Sequence, residues 1–387
     1  MSEGTLYVKD SRTSREYKIP IQRNTVSATA FKQIRGPATD TTRIDKGSSG
    51  LKVYDPGLAN TATIESQLTF IDAEKGLLLF RGYSIGQLWD CDFEDVLHLM
   101  LWEKLPSPTQ KQSLQNALVD AMLDIPGEVI RIIHAFPSSA PPVPMVLAGL
   151  AAYMSHRPND LPAFTGGNIY HGNMRRVDEA VVRVVAAWAV CIGLAASHRN
   201  SSRFMPASRD RDYYSNLFTM MGHVDPSTKH PDPLKLQCFR RFGALSIDHG
   251  LSNSTFALLV TASTLADPFS ALISALAAAY GPLHFGAPES AYKIMTQLGS
   301  PENVPTLIDQ VKRGERRLFG YGHRTYQTAD PRIRPIQVLL EELNAADNPL
   351  LAVAQEIDRI ASSDEYFKSR GLNANADLYG QFFYVAM

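Results

Sequence analysis

Cysteine is scarce in this 387-residue chain, at three: Cys91, Cys191 and Cys238. They are far apart, odd in number and form no Cys-x-x-Cys pair, which excludes a disulfide framework and fits a reduced interior. None has a histidine at metal-ligand spacing, so no metal site is expected. A basic excess is lacking too: Lys+Arg is 38 against Asp+Glu 39, for a formal net charge of −1. Counterion release from phosphates then has nothing to drive it, and a general nucleic-acid partner is excluded. The pairs Arg175-Arg176 and Arg240-Arg241 are too short to change that. Long apolar runs are few. Residues 184–197 and 269–280 are the most continuous, shorter than a bilayer requires, so they are expected as buried helices, with no membrane partner. Met1-Ser2-Glu3-Gly4-Thr5 carries no apolar or Arg-rich leader, and Val385-Ala386-Met387 is no peroxisomal tripeptide. A cytoplasmic location is the matching expectation. Walker motifs, nucleophile elbows and tandem repeats do not occur.

What is present is an ordinary globular composition, 44% hydrophobic and 20% charged. A chain of this length buries a large core and is expected to form more than one domain. Residues 6–8 and 17–21 read as short strands around a polar turn, and 41–57 as a Thr/Ser/Gly-rich loop. Residues 68–72 and 76–82 read as a small hairpin. After Gly82 helical periodicity takes over. It predicts helices over 93–103, 143–153, 177–197, 213–221, 234–246, 254–265, 268–280, 288–298, 305–313, 333–345, 350–362 and 377–387. The later part of 177–197, and 268–280, are apolar almost all round. Such helices lie at the centre of a large fold or against a second subunit, and an obligate dimer is the expectation.

Three histidines sit at breaks between elements, where backbone N–H groups are free to meet a ligand. They are His249 in Asp248-His249-Gly250, His284 in Gly281-Pro282-Leu283-His284, and His323 in Gly320-Tyr321-Gly322-His323. Proton transfer beside them needs a carboxylate. Asp377 is the best placed, and serves equally as the N-cap of the last helix. Arg332 is a candidate carboxylate clamp, because guanidinium grips carboxylates bidentately. A solvated arginine in a first helical turn is its other role.

Taken together, these segments resemble citrate synthase. Gly281-Pro282-Leu283-His284 looks like one family signature. Gly320-Tyr321-Gly322-His323 followed by Asp330-Pro331-Arg332 looks like a second, and Asp248-His249 like a third. Tyr54-Asp55-Pro56-Gly57 and Phe80-Arg81-Gly82-Tyr83-Ser84-Ile85 look like its N-terminal region. The resemblance implies a mainly α, two-domain helical fold with a small N-terminal β element. The large domain would span 1–286 and the small domain 287–387. It implies a homodimer that condenses an acyl-CoA with oxaloacetate and then hydrolyses the thioester, with no tightly bound cofactor. By residue-for-residue carry-over, Asp377 removes the α-proton and His284 stabilises the enol oxygen. His323 polarises the oxaloacetate carbonyl, and His249 and Arg332 hold oxaloacetate. Leu318, Phe319, Gly320, Tyr321 and Gly322 lie against CoA.

The sequence departs from the family's pattern at four places. Ser246 stands where a His is usual, Gly250 where an acidic residue is usual, and Phe285 where a Gly is usual. Phe285 adds apolar surface beside the expected thioester site. That points to a changed acyl group, as in the fungal citrate-synthase-like enzymes that make alkylcitrates for natural products. Ordinary citrate or 2-methylcitrate synthesis is the alternative. Fourth, the sequence runs only ten residues past Asp377. The family continues there through helices that carry two further arginines for the substrate carboxylates. Losing such a contact costs about 2–5 kcal/mol. Either another residue replaces them, or binding is weak, or the sequence is truncated. An inactive homologue serving as a binding or dimer partner is the corresponding non-enzyme reading.

Overall fold

The computed structural model describes residues 3–36, 50–58, 60–323, 325–326 and 328–387. Of the loop expected over 41–57, residues 41–49 lie outside the described residues, as do Met1, Ser2 and Arg324. The chain forms two compact units, residues 1–66 and 67–387.

The first unit holds an antiparallel sheet in the order β1 (Gly4–Asp10), β2 (Arg15–Gln22), β3 (Thr25–Val26). Its register places Gly4 opposite Ile21 and Asp10 opposite Arg15. The second unit opens with the expected hairpin, β4 (Thr69–Asp72) and β5 (Leu77–Phe80), extended by β6 (Tyr83–Ser84). The rest is helical. The succession is α1 (Ile85–Leu88), α2 (Phe93–Trp102), α3 (Pro108–Leu123), α4 (Gly127–His134), α5 (Pro142–His156), α6 (Pro162–Thr165), α7 (Met174–Arg199), α8 (Tyr213–Met221) and α9 (Pro233–Leu245). Then follow α10 (Asn253–Ala262), α11 (Pro268–Ala279), α12 (Gly286–Leu298), α13 (Val304–Lys312), α14 (Ile333–Glu342), α15 (Pro349–Ser363), α16 (Glu365–Lys368) and α17 (Asp377–Ala386).

Polar side chains fix many of the helix starts. Ser107, Asp212, Asp232, Ser252 and Asp267 each accept a hydrogen bond from the third residue of the helix they precede. This satisfies donors that have no partner inside the helix. Helices α3 and α4 lie where periodicity predicts none. The buried residues of α3, Leu114, Leu118, Val119 and Met122, begin only at its seventh residue, which dilutes the pattern. Its start is written instead in the Ser107/Gln110 capping box and in Pro108 at the first turn.

Two large apolar clusters organise the second unit. One gathers Leu118, Ile133, Met145, Leu150 and Val190, from α3, α4, α5 and α7. The other gathers Val304, Leu339, Ile357, Leu378 and Phe383, together with Cys238, Phe242 and Leu245 of α9. Phe242 stacks on Phe383 with ring centroids 4.1 Å apart. Thus α9, on the N-terminal side of position 286, packs into the core made by residues beyond it. Helix α7 corrects one length expectation. At 26 residues it is long and apolar enough to cross a membrane. Yet 61% of its most apolar window is buried within the chain, as in the core helix of a large fold.

Candidate active site

His249 lies in the segment between α9 and α10, and His323 lies just beyond a turn that packs on the residues preceding α17. The structure brings the two together. Their rings are 4.9 Å apart and edge-on, and Tyr326 completes a cluster at 5.4 Å from His249 and 4.8 Å from His323. The Tyr326 hydroxyl and His249 Nε2 share a hydrogen bond of 3.1 Å. His323 Nδ1 accepts from the backbone N–H groups of Thr325 and Tyr326, at 3.0 and 3.3 Å. A backbone N–H can only donate, so Nδ1 is unprotonated and Nε2 carries the proton. Burial lowers the pKa of His323. Burial, with Arg332 and His323 nearby, lowers that of His249 to about 4. Both rings are therefore neutral at physiological pH, and His323 offers an Nε2–H donor.

Arg332 is neither solvated nor free. Its Nε and Nη2 donate to the two oxygens of Asp330 at 2.9 and 2.6 Å. The Asp330 side chain is fully buried and that of Arg332 is 17% exposed. Burial raises the Asp330 pKa, but the hydrogen bonds and charge of Arg332 outweigh it and the net shift is downward. Asp330 also accepts from the Ala376 N–H at 3.1 Å, which ties the arginine to the residues just before α17.

That bond bears on Asp377. The sequence allows Asp377 to cap the last helix, but the structure assigns that work elsewhere. Ala376 holds the cap position, and Asp377 is the first helical residue with no capping bond from its side chain. The free N–H groups there are taken by Asp330 at Ala376 and by Asn375 Oδ1 at Asp377, the latter at 2.9 Å. The Asp377 carboxylate is left without a hydrogen bond among the described residues. Burial raises its pKa to about 6, against the opposing charge of Arg332.

Segments 318–322 and 372–378 interlock. The Gly322 N–H donates to the Asn373 carbonyl at 2.7 Å, the Asn375 N–H to the Gly320 carbonyl at 3.0 Å, and Asn375 Nδ2 to the Gly322 carbonyl at 2.7 Å. Gly320 has φ +81°, and a Cβ there would lie 2.8 Å from the Leu378 Cα. Only glycine satisfies both conditions. Gly320→Ala is expected to destabilise the protein by about 2 kcal/mol or more, read as a lowered urea midpoint. Within 318–322, the side chains of Leu318 and Tyr321 are buried in the core cluster of α13–α17, so this segment presents backbone rather than those side chains to any ligand.

His284 stands in the turn between α11 and α12, shaped by hydrogen bonds from its own N–H to Gly281 and from the Phe285 N–H to Ala279, both 3.0 Å. Its Nε2 is 2.9 Å from the Ser254 hydroxyl in the first turn of α10. Burial lowers its pKa. Among the described residues it shares no hydrogen bond, ion pair or ring contact with the His249–His323–Asp377 group. Phe285 tilts against the His284 ring at 4.7 Å and is 65% exposed. Asp248 accepts from the Thr69 hydroxyl and the Gly250 N–H, fastening the β4 hairpin to the His249 segment.

Sequence reasoning assigned no role to Ser254, Tyr326, Asp330 or Asn375. The last two leave a signal, an Asp or Asn two residues before a functional group, which is Asx-turn spacing. Ser254 leaves none, because its partner is 30 residues away.

The arrangement offers a raised carboxylate, neutral imidazole donors and a buried arginine. The family described as citrate synthase, C-terminal domain, matches residues 57–387. Alkylcitrate synthase phiJ of a fungal species is 46% identical over 394 residues, covering 100% of this chain and 85% of the relative. Alkylcitrate synthase tstJ of Talaromyces stipitatus is 44% identical over 390 residues, with 100% and 85% covered. Among solved structures, citrate synthase from Pyrobaculum aerophilum superposes with a TM-score of 0.73 at 26% identity, covering 84% of this chain and 80% of that one. Citrate synthase from Thermoplasma acidophilum, in complex with carboxymethyl coenzyme A and oxaloacetate, shares the fold at a TM-score of 0.74 and 24% identity, with 86% and 84% covered. The chain belongs to the citrate synthase family.

Proposed function

We propose that this chain condenses an acyl-CoA with oxaloacetate to give an alkylcitrate and free CoA. The observation that carries the reading is Asp377, a carboxylate relieved of helix capping and raised to about 6 in a site with a neutral His323 donor and Arg332. A thioester α-proton is far less acidic than a carboxyl group. A base therefore needs a preorganised donor at the developing enolate oxygen. Asp377 takes the α-proton as His284 donates to the thioester oxygen. The enol carbon then attacks the ketone carbon of oxaloacetate, whose oxygen is polarised by His323 Nε2–H. The new alkoxide takes the Nε2 proton of His323, and water cleaves the thioester to release CoA. Arg332 spends Nε and Nη2 on Asp330, which leaves Nη1 for a substrate carboxylate, with His249 beside it. His284 stands apart from the other groups, so residues 287–387 close over the substrate to complete the site and exclude water. A homodimer is supported by α10, an apolar helix with no buried residue, in which Val260 is 52% exposed.

The alkyl part of the reading rests on Phe285 and on the two alkylcitrate synthase relatives. Phe285→Gly is expected to lower kcat/KM for long acyl thioesters about tenfold relative to acetyl-CoA, roughly one methylene's worth of apolar contact or more. An unchanged acyl preference removes Phe285 from the acyl site. The whole reading is tested by incubating the protein with oxaloacetate and a panel of acyl-CoAs while following free thiol. Oxaloacetate-dependent release supports it. Binding of CoA without release, by a folded protein, favours the non-enzyme alternative.

A further inference from the structure

Beneath the site, two tyrosines converge on one carboxylate. The Tyr321 hydroxyl donates to Asp358 Oδ1 at 2.7 Å, and the Tyr379 hydroxyl donates to Asp358 Oδ2 at 3.0 Å. Tyr321 also reaches the Asp358 carbonyl at 3.2 Å. Both tyrosines are buried, 9% and 2% exposed. Burial, with Asp358 adding to it, raises both phenol pKa values, so both remain O–H donors. Tyr321 stands two residues before His323, and Tyr379 two residues after Asp377. Asp358 itself sits in α15, beside Ile357 of the core.

We propose that Asp358 is a positioning residue: by holding Tyr321 and Tyr379 on its two oxygens, it fixes the spacing between His323 and Asp377. The Asn375 and Asp330 bonds restrain the same two segments through backbone groups on the site side. The Asp358 clasp restrains them from beneath, through side chains, and connects both to a regular 15-residue helix. Neither tyrosine hydroxyl needs to touch substrate. This inference rests on the reading of His323 and Asp377 as reacting groups, and the test separates the two.

The experiment compares Tyr321→Phe, Tyr379→Phe and Asp358→Ala, with Ile357→Val as a control for lost core stability. A displacement of about 1 Å in reacting groups can cost on the order of 100-fold in rate. Each Tyr→Phe is expected to lower kcat about tenfold, with KM within about twofold of wild type. Asp358→Ala is expected to lower kcat by roughly 10- to 100-fold, and adding either Tyr→Phe to it changes kcat less than about twofold. Ile357→Val lowers stability while leaving kcat in place. A second readout needs no turnover: the Asp377 carboxyl is followed by carbon NMR and identified by its absence in Asp377→Asn. Its midpoint is expected to drop from about 6 towards the ordinary aspartate value of about 3.9 in Asp358→Ala, as the loosened segment admits water. Arg332 and Asp330, the charges facing Asp377, are the same in both proteins. Wild-type kcat and an unmoved midpoint in a folded Asp358→Ala overturn the proposal. A silent wild type whose Asp377 midpoint still moves on Asp358→Ala supports the positioning role and overturns the condensing reaction.

Discussion

Asp377→Asn is expected to lower kcat for CoA release about 10³-fold and, at pH 8, to leave the protein more stable than wild type. The kinetic half follows from removing a general base, which typically contributes 10²- to 10⁴-fold. The stability half follows from the sign of the shift. Burial raises the Asp377 pKa to about 6 in the folded state, while an unfolded aspartate titrates near 3.9. Above pH 6 the carboxylate is ionised in both states, and its buried charge opposes folding by on the order of 3 kcal/mol. Asn removes that charge. The gain should shrink as pH falls from 6 to 4 and vanish below, where wild-type Asp377 is protonated in both states. Urea unfolding at pH 8, 6 and 4 checks it. A variant that loses both activity and stability would mark Asp377 as a structural residue. In the wild type, kcat should fall as pH drops below about 6, because only the ionised carboxylate accepts the proton. His249, lowered to about 4, stays neutral across that limb and does not contribute to it.

Asp330→Ala is expected to destabilise the protein by about 3–5 kcal/mol, among the largest effects of any single substitution here. It removes one member of a buried ion pair, and breaking such a pair is far costlier than the pair's net contribution. Arg332 keeps its charge and loses the partner of two hydrogen bonds. The Ala376 N–H loses its acceptor at the same time. The Asp330 pKa is lowered in the fold, so its contribution is fully present above the unfolded pKa of about 4 and is lost as pH falls through the folded value. The difference between wild type and Asp330→Ala in urea midpoint should therefore be largest near neutrality and narrow in acid. A loss below about 1 kcal/mol at pH 7 would mean that another acceptor takes up Arg332.

Most helices were legible because their apolar residues recur at helical spacing, and all twelve predicted ones start within three residues of the observed position. Helix α3 was not, because its first six residues bury no side chain and periodicity averages the rest away, although Ser107 and Gln110 mark its start. The three histidines were readable as residues at breaks between elements. Their chemistry was not, since it depends on which nitrogen accepts. The N–H groups of Thr325 and Tyr326 settle that for His323, and no spacing rule shows where they point. Asp377 was readable as a candidate with two roles. Setting aside the capping role needed Asp330 and Asn375, which take over the capping from outside the helix. Arg332 was the harder case: an arginine in a first turn reads as solvated, and only the buried Asp330 two residues earlier says otherwise.

The separation in sequence of the site's contacts has a consequence for how the protein reaches its native state. The bonds joining segments 320–322 and 374–377, and Tyr321 and Tyr379 to Asp358, span 21 to 55 residues. The Thr69–Asp248 bond that fastens the His249 segment to its hairpin spans 179. Closing a longer loop costs more chain entropy before any contact repays it, and non-local contacts slow folding. The half of the site that holds Asp377 and His323 can therefore assemble as a local unit. The half that holds His249 waits for the two ends of a much longer segment to meet.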